Sequence, residues 1–209
     1  MSPAKHIWTF LLALGLLPAC SEAAEPAAPT EPTGAAEPAT PAATDESEDR
    51  YDRAAIRARA AAGLQPFKQQ LMQALQRGLA QGPENAIDVC RLDAPAIAAA
   101  ASIDGLEIGR SSHRLRNPAN APTDWQRRAI DHYLGSQDRD PMVIDLGDNR
   151  VGYAEPITTA PMCLTCHGNE LSAEVRGALA EHYPADQATG FAAGDLRGVF
   201  WVTLPVPDA

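Results

Sequence analysis

Lysine is almost missing from this sequence: its 209 residues include only Lys5 and Lys68. Aromatic residues are scarce at 5%, and the formal net charge is −10. The acidity is uneven. Residues 21–50 carry Glu22, Glu25, Glu31, Glu37, Asp45, Glu46, Glu48 and Asp49 against Arg50 alone, whereas residues 51–209 hold 19 acids and 15 bases. No basic stripe is available to follow a phosphate backbone, which excludes nucleic-acid binding as the main function. Two lysines also give little electrostatic hold on an anionic bilayer. No G-x-S-x-G, H-E-x-x-H or P-loop pattern occurs, so hydrolase and nucleotide-binding readings have no support.

What is present begins with an address. Lys5 and His6 precede an apolar run at residues 7–17, of secretory length and too short to span a bilayer. It ends in Leu17-Pro18-Ala19-Cys20, which resembles the lipobox of bacterial lipoproteins, where cleavage precedes the Cys and acyl chains are added to it. The alternative is a plain signal peptide with an incidental Cys. Several acyl chains on Cys20 would hold the chain stably where one is marginal. Ser21 in place of Asp resembles the pattern sorted to an outer membrane. Residues 21–50 are nearly all Ala, Pro, Glu and Thr, with no aromatic and no Leu, Ile or Val. Such a segment cannot bury enough apolar surface to offset its ordering entropy, and serves as an extended tether. The expected organisation is a signal peptide at 1–19, an acylated Cys20 opening a linker at 20–50, and one domain at 51–209, periplasmic and anchored to a membrane.

Cys20, Cys90, Cys163 and Cys166 remain to be explained. An even number in an exported chain would ordinarily suggest disulfides, but Cys163-Leu164-Thr165-Cys166-His167 is C-x-x-C-H, the attachment motif of c-type haem. Two thiols three positions apart can each add to one vinyl group of the same porphyrin. The histidine that follows brings its imidazole over the iron. Pro161 suits the first turn of a short helix, on which Cys163 and His167 share a face. With 4 Cys and 5 His in 209 residues, chance produces this pattern in roughly 0.002 of such chains. The rival, a C-x-x-C redox disulfide, belongs at a helix start in a thioredoxin-like βαβ unit, and no such unit follows here.

The second axial position is less constrained. His113, His132 and His182 are candidate ligands, though more in keeping with surface or satisfied core histidines, and so are Met72, Met142 and Met162. No methionine follows the motif, which excludes the ordinary mono-haem carrier with an early C-x-x-C-H and a late Met. Cys90, between Ile87-Asp88-Val89 and Arg91, has two readings. It is an inert core thiol, as free Cys commonly is, or an iron-bound thiolate, protected by coordination in an oxidising compartment. Arg110, Arg116 and Arg197 are candidates for charge-assisted bonds to the two haem propionates, with solvated surface arginines as the alternative. Trp125, Trp201, Phe200 and Tyr153 read as core.

Several ordered motifs carry a resemblance. They are Ile87-Asp88-Val89-Cys90, Gly109-Arg110-Ser111, Leu115-Arg116-Asn117-Pro118-Ala119-Asn120, Met162-Cys163-Leu164-Thr165-Cys166-His167-Gly168, and the closing run from Tyr183 through Phe191 to Gly194-Asp195-Leu196-Arg197-Gly198. Together they resemble, over residues 60–205, a family of bacterial and cyanobacterial c-type haem proteins with a PAS-like sensor fold. The resemblance implies a single haem c held by Cys163 and Cys166, with His167 as one axial ligand and Cys90 as a thiolate second ligand.

Apolar periodicity predicts a helix over 51–81, with Leu64, Phe67 or Lys68, Leu71, Leu75 and Leu79 on one face, stopped by Gly82-Pro83. Two shorter helices follow at 84–91 and 94–101. Strand-like stretches lie at 106–111 and 112–116, and Thr123 caps a helix through Leu134. A hairpin spans 142–146 and 150–157 around Gly147-Asp148-Asn149. A helix from Ser172 to about Tyr183 and a last strand at 197–206 complete the domain. The fold class expected is α+β: an antiparallel sheet of four or five strands with flanking helices after a long N-terminal helix, compatible with the PAS-like core. The leading functional expectation is a lipid-anchored haem protein, not an enzyme, that senses redox state or a small gas and signals through a partner protein. A thiolate ligand favours ferric iron, and its loss on reduction would open a gas site. A periplasmic electron-transfer cytochrome is the alternative. A peroxidase-like enzyme ranks third, for want of a distal acid–base residue.

Overall fold

The computed structural model describes residues 51–206, so the expected signal peptide, Cys20 and the linker lie outside the described residues. Helix α1 (Arg53–Ala80) starts at Asp52, whose Oδ1 accepts hydrogen bonds from the amides of Ala54 and Ala55 at 2.9 and 3.0 Å. The carboxylate thereby satisfies two of the donors that a helix start leaves orphaned. The predicted periodicity is present, but it serves two surfaces. Ile56, Ala60, Leu64, Phe67 and Leu71 pack against Val151, Tyr153, Val202 and Leu204 of the sheet. Leu75 and Leu79, further along the stripe, line a cavity instead.

Gly82 (φ +124°) and Pro83, at the first position of α2 (Pro83–Asp88), reverse the chain. The two helices approach closely at Gly78, where a Cβ would lie 2.9 Å from Ala86 Cα. The helices expected at 84–91 and 94–101 are joined: a π-helical turn, Val89–Asp93, connects α2 to α3 (Ala94–Ala101). Pro95 has no N–H to return to the preceding turn and coincides with this local widening.

The sheet comprises β1 (Glu107–Ser111), β2 (Met142–Gly147), β3 (Arg150–Thr158) and β4 (Leu196–Pro205) in the order β1-β4-β3-β2, antiparallel throughout. The β2–β3 hairpin turns on Asp148 and Asn149, both at positive φ (50° and 53°), the conformation whose twist suits a two-residue connection. Strand alternation then divides the core. Tyr153 and Val202 face α1, whereas Ala154 and Val199 face α4 (Asp124–Gly135) through Trp125, Ala129, Ile130 and Tyr133. Residues 112–116 form no strand, contrary to the reading from propensity. Ser112 Oγ donates to the Arg197 carbonyl and accepts from the Arg114 amide at 2.7 and 3.1 Å, which turns the chain off the sheet edge. The architecture is α+β, with four strands and helices on both faces. A third apolar cluster joins Ile87 of α2 to Val175 and Leu179 of α6 (Ala173–His182) and to Tyr183. It fixes α2 beside the C-x-x-C-H segment.

Candidate cofactor cavity

A cavity of about 380 Å³ lies where α1, α2, the π turn, the end of β1 and residues 161–167 meet, in the range of small-molecule and cofactor sites. Cys90, Cys163, Cys166 and His167, together with Arg110, Arg116 and Arg197, all line it. Residues spread over 108 positions of sequence are therefore brought to one place. The wall from α1 is largely apolar, built by Leu71, Met72, Leu75 and Leu79 together with Lys68, whose ammonium is paired with Glu155 at 2.6 Å. Among the described residues, no carboxylate lines the cavity and no histidine does except His167.

The motif folds as a 3-10 turn, Pro161–Cys163, running into the single turn of α5 (Leu164–His167). Three carbonyls at its end are held from outside. Arg116 Nη2 donates to Cys166 O at 2.6 Å, Phe191 N to His167 O at 2.9 Å, and Gly190 N to Gly168 O at 2.9 Å. Gly168 has no room for a side chain, since a Cβ there would lie 2.7 Å from Leu164 O. The His167 ring donates from Nδ1 to Ala188 O at 2.6 Å. That bond fixes the tautomer that leaves a lone pair on Nε2. Burial, and then the charges of Arg197 and Arg116, push the His167 pKa down to about 2, so the imidazole is neutral at ordinary pH. Burial raises the Cys166 thiol, partly offset by Arg116. Cys90, Cys163 and Cys166 are all unpaired and half-buried.

The three arginines divide by role. Arg116, 8% exposed, is taken up by protein partners, forming a two-point ion pair with Asp186 at 3.0 and 3.2 Å. Arg197 donates to Ser112 Oγ and to His167 Nε2, each at 3.3 Å. Its Nε is buried without a partner, and burial beside Arg116 and Arg110 depresses its pKa to about 10. The Arg110 backbone pairs with Phe200 in the sheet, and its half-buried side chain makes no hydrogen bond to a described residue. An orphaned guanidinium nitrogen and an unpartnered arginine, opening on a cavity with an apolar wall and no carboxylate, suit a flat apolar ligand that carries anionic groups. A porphyrin with propionates fits that description. Among the described residues no group of three or more His, Cys, Asp or Glu is arranged to hold a bare metal ion.

Of the other axial candidates, Met72 and Met162 line the cavity, while His113, His132, His182 and Met142 do not. Instead His132 Nε2 lies 3.1 Å from Asp138, and the His113 ring meets Phe191 edge-on. Phe200, read from sequence as core, touches Phe67 and also lines the cavity. Sequence reasoning gave no role to Asp186, Ala188, Phe191 or Gly198. Phe191 sits under the guanidinium of Arg114 at 4.3 Å and against the His167 ring. Gly198 (φ +149°) permits β4 to pass β1, since a Cβ would lie 2.2 Å from Ser111 O. All four lie in the closing run whose ordered motif was visible in the sequence without a function attached.

A family model described as Tll0287-like matches residues 42–205. Among solved structures, the crystal structure of the cyanobacterial heme-protein Tll0287 matches with a TM-score of 0.58 and 22% identity, covering 76% of this chain and 99% of that one. Comparison with curated proteins finds no match.

Proposed function

The chain belongs to the Tll0287-like family, and from that premise we propose that it is a lipid-anchored, extracytoplasmic protein carrying one covalent haem c, which serves as a redox or gas sensor. The observation that carries this reading is the convergence of Cys90, Cys163, Cys166 and His167 on one arginine-lined cavity. That a fold relative is a heme-protein supports the same cofactor. In this reading Cys163 and Cys166 would hold the haem covalently, each thiol adding its S–H across one vinyl group with the vinyl π bond consumed. His167 presents Nε2 to the iron, oriented by Ala188, and Cys90 supplies the second ligand. Arg110 and Arg197 meet the propionates. The bound haem supplies one-electron redox chemistry and an iron to which small gases bind. Cys90 stands on the π turn, a helical irregularity frequent at functional sites, and is the ligand proposed to move. Cys20 and the linker support a membrane-tethered location, from which the signal passes to a partner protein.

The test is electron paramagnetic resonance and absorption spectroscopy of the haem-loaded full chain beside its Cys90→Ser variant, with carbon monoxide added to both reduced forms. A low-spin ferric thiolate signal lost in the variant, with gas binding to the reduced parent, is the expected result. Identical ferric spectra return Cys90 to the core. The electron-carrier reading draws on Met72, 43% exposed on the cavity wall, which leaves that side accessible to a partner. It predicts six-coordination in both redox states and no gas binding.

A further inference from the structure

Ala188 is held on both sides of its peptide. Its N–H donates to Asp186 Oδ1 at 2.8 Å, and its carbonyl accepts from His167 Nδ1 at 2.6 Å and from Arg116 Nη2 at 3.2 Å. Asp186 and Arg116, in turn, grip each other through both carboxylate oxygens, with side chains only 9% and 7% exposed. The same Arg116 nitrogen reaches Cys166 O. One ion pair therefore ties the attachment segment to the carbonyl that orients the histidine. We propose that Asp186 and Arg116 are a positioning pair for His167, and that their opposite charges tune the ease of reducing the group His167 holds. This rests on the haem reading above.

Two physical arguments separate this role from simple stabilisation. A buried ion pair is costly to desolvate and is often replaceable by apolar residues without loss of stability, so stability alone gives little reason for it here. In contrast, the partner that fixes a ligating histidine's second nitrogen governs its orientation and basicity. The charges also act with opposite sign. Among the described residues the cavity is lined by Arg110, Arg114 and Arg197 as well as Lys68, and by no carboxylate, so Asp186 offsets one positive charge beside His167. Removing the Asp186 charge leaves Arg116 uncompensated and favours the less positive, reduced state. Removing the Arg116 charge favours the oxidised one.

The experiment is a spectroelectrochemical titration of the haem-loaded full chain and its Asp186→Asn, Arg116→Gln and Asp186→Glu variants. Asp186→Asn is expected to shift the reduction equilibrium toward ferrous and Arg116→Gln toward ferric. Each shift is about tenfold, or 59 mV for one electron. Asp186→Glu, which keeps the charge, stays near the parent. Shifts of one sign in both variants, or none in either, would mark a purely structural pair and overturn the inference. If the neutral variants do not retain haem, the Asp186→Asn/Arg116→Gln double variant, which removes both charges at once, decides: a parent-like potential with haem retained supports charge compensation, and a tenfold shift overturns it. A parent chain that takes up no haem overturns the haem reading and this inference with it.

Discussion

The Nδ1 atom of His167 lies 2.6 Å from the carbonyl oxygen of Ala188, twenty-one residues further along the chain. That bond decides which imidazole nitrogen faces the cavity. The donor is committed to the backbone, burial keeps the ring neutral, and Nε2 is left as a Lewis base beside Arg197. A motif that specifies residue types is thus given its direction by a segment outside it.

If Cys163 and Cys166 are the points of attachment, haem stays with the chain through denaturing electrophoresis. Expressed with a c-type maturation system, the parent should show an in-gel haem stain that the Cys163→Ala/Cys166→Ala double variant lacks. Equal retention in both would show that the haem is not held by thioethers.

Arg197 should respond to substitution with opposite signs in two states. Its orphaned Nε makes it a burden on the haem-free chain, so Arg197→Met raises haem-free stability by about 1 kcal/mol. If Arg197 meets a haem propionate, the same change lowers the stability of the haem-loaded protein. Urea unfolding of both forms measures this, and a loss in both states would rule out a ligand-directed role.

Gly198→Ala should cost about 2–4 kcal/mol, because the new methyl meets Ser111 O at 2.2 Å with the backbone at φ +149°. Thermal or chemical unfolding reads the loss directly. A loss under about 1 kcal/mol would mean that β1 and β4 separate easily at this point.

Stability should fall on alkaline titration through Tyr133. Burial, then the charge of Asp138, raises its phenol from an ordinary value near 10.0 to about 12. The folded state therefore keeps a proton that the unfolded chain releases. The contribution is complete below pH 10 and is lost as pH rises toward 12. Tyr133→Phe also removes the bonds to the carbonyls of Asp140 and Ala154 and should cost about 1–3 kcal/mol near neutrality. Unfolding free energies from pH 8 to 12 should slope less steeply in the variant; an unchanged slope assigns the titration elsewhere.

The α1 stripe, the hairpin at Asp148-Asn149 and the C-x-x-C-H turn are legible in the residues alone, because each depends on neighbours within a few positions. The sequence also nominated Cys90, Cys163 and Cys166 and three of the arginines that line the cavity, Arg110, Arg116 and Arg197, but not Arg114. Its errors share a cause. Residues 112–116 have strand-like propensity, yet Ser112 bonds to Arg197, 85 residues away, and the sheet edge is abandoned. The helices at 84–91 and 94–101 merge because the backbone continues through a π turn that apolar periodicity does not report. That Leu75 and Leu79 face a cavity, and that Arg116 is consumed by Asp186 while Arg197 is left short of a partner, follows from long-range packing alone. The same packing selected Ala188 to orient His167. Those outcomes depend on bonds between residues with no regular separation in the chain, set by the order of β1, β4 and β3 in the sheet and by α2 packing on α6.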